Sequence, residues 1–151
     1  MSELRKLIDQ ITEFGINPKV ELTEKNDILK KLLIGIYFEF LNVEFEYDEM
    51  DYDEKPDFNY NKIKENVKSN FPDFDWYSMV LDSNKMEPNI EIGIGDELDD
   101  LTDIIKDLLE VKWRMENTSE KDAIWHFELL MRTHSEKHFV DLLKRLKERD
   151  G

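Results

Sequence analysis

The apolar residues of the chain recur mostly at helical spacing. Between residues 4 and 11 they follow the i, i+3, i+4, i+7 pattern of an amphipathic helix, and Gly15 then favours a helix end. A second helix begins near Thr23 or Asn26. Its apolar positions, within residues 28–41, cover a wide arc. This arc predicts that the second helix is the central and most buried one.

The middle of the chain is less regular. A third helix is predicted over residues 61–71, and Pro72 ends it. Residues 73–81 predict a short helix with Trp76 and Tyr77 in the core. Residues 87–95 alternate polar residues with Ile, as a strand does, but the pattern predicts no second strand to pair with them. We therefore expect an extended linker whose isoleucines pack on the helices.

The last third of the chain predicts two long helices. One opens at Gly95 and Asp96, and the other runs from about Thr118 to about Arg149. Because the connection at residues 116–119 is short, we expect these two helices to be antiparallel neighbours. The predicted fold class is all-α: a single domain over residues 1–151, built as a bundle of five or six helices, with an acidic loop at residues 44–58.

Composition and charge exclude several function classes. The chain has 21 Lys and Arg against 36 Asp and Glu, a net charge of −15, which argues against a nucleic-acid-binding surface. The absence of cysteine excludes a disulfide framework, a zinc finger and a thiol nucleophile. The N-terminus lacks a signal-peptide pattern, and residues 28–43 are too few and too charged to span a bilayer. We therefore expect a cytoplasmic protein that binds neither nucleic acid nor membrane.

The acidic residues are concentrated in two segments. Residues 44–58 and 87–110 hold 17 of the 36 acids. This concentration indicates either a solubility feature or a docking face for a basic partner protein. Asp51-x-Asp53 begins like a calcium loop, but Pro56 stands where an EF-hand needs glycine, so a solvated acidic loop is favoured.

All three histidines lie on the predicted last helix. His134 and His138 are one turn apart in its apolar stripe, with Asp141 beside them. On the facing helix, Glu97 falls toward the core and Asp100 falls at the edge of the stripe. Antiparallel packing would bring these carboxylates to the histidines. His126, Trp125 and Asp103 are secondary candidates, and His126 and Trp125 are expected at a boundary between two helices.

Two interpretations of this cluster remain open. In the first, the histidines are hydrogen-bonded core residues, no cofactor is bound, and the protein is a non-enzymatic interaction protein. Its partner would be another protein, held by the acidic surface or by the groove between the last two helices. In the second, His134, His138 and Asp100 bind a divalent metal such as zinc or iron, whose bound water acts as nucleophile or base. The chain contains no G-x-S-x-G, P-loop, G-x-G-x-x-G or H-E-x-x-H motif, which favours the non-enzymatic interpretation.

Two runs of the chain carry a more specific pattern. Residues 95–108 fit D-D-L-x-D-I-x-x-D-L, and residues 116–138 fit A-x-W-x-F/R followed by H-x-x-x-H. Together with residues 59–82, these runs resemble an uncharacterised bacterial family, the domain-of-unknown-function family numbered 5063. The resemblance implies an all-helical bacterial protein and supports pairing of the last two helices. It implies no activity, since none is established for that family.

Overall fold

The computed structural model describes residues 2–52 and 54–150 of the chain. Over this part the fold is mostly α-helical, at 64% helix, with a small two-stranded antiparallel sheet. The predicted helical fold class is confirmed, with this sheet as an addition. The elements in chain order are α1 (Ser2–Ile16), α2 (Lys25–Asn42), α3 (Tyr60–Asn70), β1 (Trp76–Val80), β2 (Ile92–Asp96), α4 (Glu97–Asn117), α5 (Glu120–Leu130), a π-helical turn (Met131–Ser135) and α6 (Glu136–Arg149).

Helix α4 is the centre of the fold. It packs against α1, α3, α5 and α6, and its stripe of Leu101, Ile104 and Leu108 is buried. The buried apolar residues form one cluster to which all six helices contribute. The prediction that α2 is the central helix is wrong, because α2 packs mainly on α1 and α6 and leaves Ile34 and Leu41 exposed.

Side-chain amides of α3 cap the C-terminal end of α1. Asn66 donates from Nδ2 to the carbonyl of Gly15 at 2.8 Å. Asn70 donates from Nδ2 to the carbonyls of Phe14 at 2.9 Å and Asn17 at 2.7 Å. The last carbonyls of a helix have no partner within it, so these amides satisfy groups that burial would otherwise strand. They also hold α1 and α3 together.

Strands β1 and β2 form a hairpin where a short helix and a linker were predicted. Trp76 lies opposite Asp96 and Val80 lies opposite Ile92 in the antiparallel register. Both predictions for these segments are wrong. Gly95 shows one reason: the ring of Tyr77 packs directly across it, and a Cβ at this position would collide with the ring.

One face of the hairpin is open to solvent. Trp76 is 68% exposed, and Ile92 and Ile94 are also exposed. Trp76 is therefore not the core residue that the sequence predicted, and Ile92 and Ile94 do not pack on the bundle, whereas Ile90 is partly buried. Alternate residues of a strand point to opposite faces, so the bundle-facing side is the one that carries Tyr77 and the glycines.

Helix α4 runs antiparallel to α5 and α6, as predicted. Arg114, late in α4, pairs with Asp122 at the start of α5, with Nη1 and Oδ2 3.0 Å apart. Glu97, at the start of α4, pairs with Arg149 at the end of α6, with Oε2 and Nη1 2.9 Å apart. The seam between these helices is therefore lined by polar pairs from one end to the other.

The predicted last helix is interrupted by the π-helical turn. Phe127, Met131, Ser135 and Phe139 are all buried, although they are spaced by four residues each time. In a regular α-helix such a row drifts around the axis by about 40° per step. The wider π turn absorbs this drift and keeps the row on the core. As a result Ser135 takes the buried position and His134 is turned toward the surface.

The acidic loop follows α2. Residues 43–52 and 54–59 have no regular secondary structure and are mostly exposed, in line with the predicted loop. Asp53, the second aspartate of the Asp51-x-Asp53 pattern, lies outside the described residues. Asp48 anchors the loop to the start of α5, because it accepts hydrogen bonds from the hydroxyls of Ser119 and Tyr52.

Across residues 2–52 and 54–150, no helix combines the length and the apolar character that a membrane span requires.

Candidate metal centre

His134 and His138 lie side by side where α6 begins. Their ring centroids are 5.0 Å apart and the ring planes meet at 71°. The side chain of His138 is 23% exposed and that of His134 is 48% exposed. The expectation of two core imidazoles is therefore wrong for His134, and the cause is the π-helical turn.

Each histidine is oriented by an aspartate of α4. Nδ1 of His138 lies 2.8 Å from Oδ1 of Asp100, and Nδ1 of His134 lies 2.6 Å from Oδ2 of Asp107. Both aspartates are largely buried. An ionised carboxylate only accepts hydrogen bonds, so each Nδ1 carries the proton. In the neutral imidazoles each Nε2 then keeps a lone pair available for a metal.

Asp103 brings a third carboxylate to the cluster, beside Nε2 of His138. Its Oδ2 lies 3.4 Å from Nε2 of His138. One ligand atom from each of Asp103, His134 and His138 lies within 4.8 Å of the other two. A tetrahedral ion with bonds of about 2.0–2.1 Å holds its ligand atoms roughly 3.3–3.4 Å apart. The pair formed by Asp103 and His138 has this spacing, and a ring nitrogen of His134 lies within 4.8 Å of both ligand atoms.

A further set of polar groups supports the aspartates. The hydroxyl of Tyr77 donates to Oδ2 of Asp100 at 2.5 Å, so the hairpin is tied to the site. The hydroxyl of Ser135 donates to Oδ2 of Asp107 at 2.6 Å. Burial, and next the hydrogen bond to Asp100, raise the pKa of Tyr77, which keeps its phenol protonated as a donor.

The ionisation of the site follows from burial and neighbouring charge. The hydrogen bond to Asp100 raises the pKa of His138, against the opposing effect of its own burial. Burial raises the pKa of Asp103, and the nearby imidazoles oppose that shift. Burial also raises the pKa of Tyr60, with the negative charge of Asp103 adding to it. Several groups around the site therefore titrate away from their ordinary values, as functional and structural polar clusters both do.

Two of the predicted residues lie elsewhere. Glu97 is fully buried, but it pairs with Arg145 at 3.4 Å and with Arg149 at 2.9 Å. The prediction that Glu97 faces the histidines is wrong, because it is the first residue of α4 and lies opposite the end of α6. Asp141 accepts a hydrogen bond from Lys137 at 2.8 Å and makes no polar contact with either histidine in the described part of the chain.

His126 and Trp125 also lie outside the cluster. Nε2 of His126 is 3.4 Å from Oδ1 of Asp122, and burial is the main cause that lowers the pKa of His126. The ring of Trp125 packs edge-on against Tyr47 of the acidic loop, with centroids 5.1 Å apart. Trp125 therefore joins α5 to the acidic loop, whereas the polar contact of His126 lies within α5.

Four side chains around the site were not predicted from the sequence: Asp107, Tyr77, Ser135 and Tyr60. Asp103 was predicted only as a secondary candidate. For the aspartates a signal was present: Asp100, Asp103 and Asp107 are spaced i, i+3, i+7 and so share one face of α4. Tyr77 and Tyr60 reach the site only through the tertiary fold, and no local pattern marks them.

Comparison of the chain with family models, with curated proteins and with solved structures gives no match. The resemblance to the family numbered 5063 therefore stays a prediction.

Proposed function

We propose that the protein binds one divalent transition-metal ion through Asp103, His134 and His138. The observation that carries the proposal is the joint orientation of the two imidazoles. Each is held through Nδ1 by a carboxylate of α4, Nε2 of His138 lies 3.4 Å from Oδ2 of Asp103, and a ring nitrogen of His134 lies within 4.8 Å of the ligand atoms of both residues. Two imidazoles and one carboxylate form a ligand set that suits zinc or iron(II).

The second layer of contacts supports this function. Metal-bound histidines commonly donate their other ring N–H to a carboxylate, which sets the tautomer and increases ligand basicity. Asp100 and Asp107 occupy this position for the two histidines, and Tyr77 and Ser135 in turn hold the aspartates. The hairpin, through Tyr77, and the π-helical turn, through Ser135, therefore both stabilise the position of the ligand set.

The charge balance of the cluster favours a cation. Asp100, Asp103 and Asp107 form no ion pair with a lysine or arginine among the residues that the structure describes. Three carboxylates then face two imidazoles that are neutral in the form that binds metals. Clustered charges with little water are costly unless they are paired, and a divalent ion would supply the missing charge.

A set of three protein ligands also leaves one coordination position for an exchangeable water. Catalytic zinc sites keep three protein ligands and one water, whereas structural sites are closed by four protein ligands. The side chain of His134 is 48% exposed, so solvent reaches this ligand. The proposal is therefore an accessible metal site rather than a buried structural one.

Titration calorimetry tests the proposal directly. The protein is purified without a histidine tag, stripped with a chelator, and titrated with Zn²⁺ and separately with Fe²⁺ under anaerobic conditions. We expect one ion per chain. Removing a ligand in His134→Ala or Asp103→Asn is expected to lower the affinity by about 100-fold, and removing the supporting carboxylate in Asp107→Asn by roughly 10–100-fold.

His126→Ala is the matched control, because it removes the one histidine outside the cluster. Its metal affinity should equal that of the unchanged protein. The proposal fails if no ion binds, or if the His134 variant binds as tightly as the control. Under that result the cluster is a hydrogen-bonded feature of the fold. Its variants would then lower the free energy of unfolding and leave metal binding unchanged.

A further inference from the structure

A second feature, independent of the metal cluster, is an open groove between α2 and α6. Its volume is about 780 Å³. Leu33 and Phe139 are buried at its base, whereas Ile34 and Val140 on its walls are 55% and 49% exposed. This groove is distinct from the seam between the last two helices, where a binding groove was predicted and where the polar pairs described above lie.

The groove has two chemically different ends. Tyr37 donates to Glu136 at 2.7 Å and Lys30 pairs with Asp150, so α2 and α6 are antiparallel. Apolar side chains line one end and lysines line the other. The apolar end holds Ile34, Tyr37, Val140 and Leu143, and the lysine end holds Lys30, Lys31, Lys144 and Lys147.

The lysine end stands out against the charge of the whole chain. Of the groove-lining residues four are lysines and two, Glu24 and Asp27, are acidic, whereas the chain carries a net charge of −15. Within the described part of the protein, Lys31 and Lys147 form no ion pair, and both are exposed. Two exposed lysines without a carboxylate partner beside an exposed apolar surface would complement an anionic, amphipathic surface.

We propose that this groove binds an amphipathic helix of a partner protein, with an apolar face and with acidic residues toward one end. The walls are two helices, and the groove residues on each recur at helical spacing, as in Val140, Leu143, Lys144 and Lys147. Helix ridges pack into such grooves at interaxial distances of about 8–10 Å. Helix-in-groove recognition reads anchors at i, i+3, i+4 and i+7. The lysines set the direction of the bound helix along the groove, because its acidic end lies at the lysine end.

Two fluorescent synthetic peptides test the proposal by anisotropy. Both carry leucines at i, i+3, i+4 and i+7 on one face, and they differ only in having glutamates or lysines toward one end. We expect the acidic peptide to bind more tightly, by about tenfold, and this preference to shrink as salt is added. Val140→Glu, which places a charge in the apolar end, should abolish binding.

The lysine end is tested by the double variant Lys31→Glu, Lys147→Glu. It should weaken the acidic peptide by about tenfold and improve the basic one. Lys19→Glu is the control, because Lys19 is exposed and outside the groove, so its effect should stay below about twofold. Far-ultraviolet circular dichroism verifies that each variant is folded, which is expected since all the substituted side chains are exposed.

The proposal is overturned if the two peptides bind equally, if Val140→Glu leaves binding unchanged, or if the acidic peptide shows no binding up to about millimolar concentration. A fluorescent fatty acid serves as a competing probe. If it binds one to one and the acidic peptide does not displace it, the groove is a lipid site and the helix proposal is wrong.

Discussion

The buried carboxylate of Glu97 offers a sharp test of how the fold is held together. Its two oxygens accept hydrogen bonds from Arg145, Arg149 and the backbone N–H of Asp75, at 3.4, 2.9 and 3.1 Å. The side chain is fully buried. Glu97→Gln keeps the shape of this side chain and removes its charge. The two guanidinium groups then lose their counter-ion at the point where α4 begins and α6 ends.

The structure sets the expected size of the effect. Removing one partner of a buried ion pair costs about 3–5 kcal/mol. Here the side chains of Arg145 and Arg149 keep 26% and 22% exposure, so water recovers part of that loss. We therefore expect a loss of about 2–3 kcal/mol in the free energy of unfolding.

Asp99→Asn is the matched control. It also removes one negative charge from the first turn of α4, so the change in helix-dipole energy, about 0.3–1 kcal/mol, is common to both variants. Asp99 pairs with Lys64, but these side chains are 46% and 38% exposed, so their pair contributes less than about 1 kcal/mol. Any difference between the variants therefore reports the buried pair.

Equilibrium urea unfolding, followed by far-ultraviolet circular dichroism in the presence of a chelator, measures both variants. We expect the midpoint of Glu97→Gln to fall well below that of Asp99→Asn, with equal slopes. Equal midpoints would refute the reasoning, since they would mean that Glu97 is hydrated or that its arginines find other partners at no cost.

Three further predictions concern single side chains. Tyr77→Phe removes the donor to Asp100 and should lower the free energy of unfolding by about 1–2 kcal/mol in the same assay. Asp48 accepts a hydrogen bond from Ser119, which is the main cause that lowers its pKa from 3.8 to about 2. A lowered folded-state pKa gives stability that is complete above about pH 4 and is lost as the pH falls toward 2, so Asp48→Asn should destabilise at neutral pH and cease to matter at acid pH. Glu24 has φ of 55°, in the left-handed region, so Glu24→Gly should stabilise the protein by about 0.5–1 kcal/mol, as a rise in melting temperature would show.

The helices could be predicted because their signal is local. Helices α1, α3 and α4 bury one stripe each, and a stripe is visible in a few turns of sequence. The hairpin could not be predicted in this way. Its strands are separated by residues 81–91, and Trp76–Val80 alone fits a helix as well as a strand. Only the pairing itself, with Tyr77 packed across Gly95, selects the strand.

In the candidate site, too, some features have a local sequence signal and others depend on the tertiary fold. The antiparallel packing of the last helices brought Asp100 to His138, as the spacing indicated. A helical wheel assumes a constant number of residues per turn, however, and the π-helical turn, which contains His134, breaks that assumption. The succession of buried Phe127, Met131 and Phe139 at spacings of four and eight was the available sign of that turn. The π-helical turn explains why His134 is half exposed, with its Nδ1 on Asp107, and does not lie in the core.

The central claim of the account is that Asp103, His134 and His138 hold one metal ion, and anomalous X-ray diffraction tests it most directly. Crystals of tag-free protein grown with Zn²⁺ would be measured on both sides of the zinc absorption edge. We expect an anomalous peak about 2.0–2.2 Å from one oxygen of Asp103 and from one ring nitrogen of each histidine, with Asp100 and Asp107 still hydrogen-bonded to the Nδ1 atoms. A crystal with no peak at these residues, or with its zinc bound at His126 or at surface carboxylates alone, would contradict the claim.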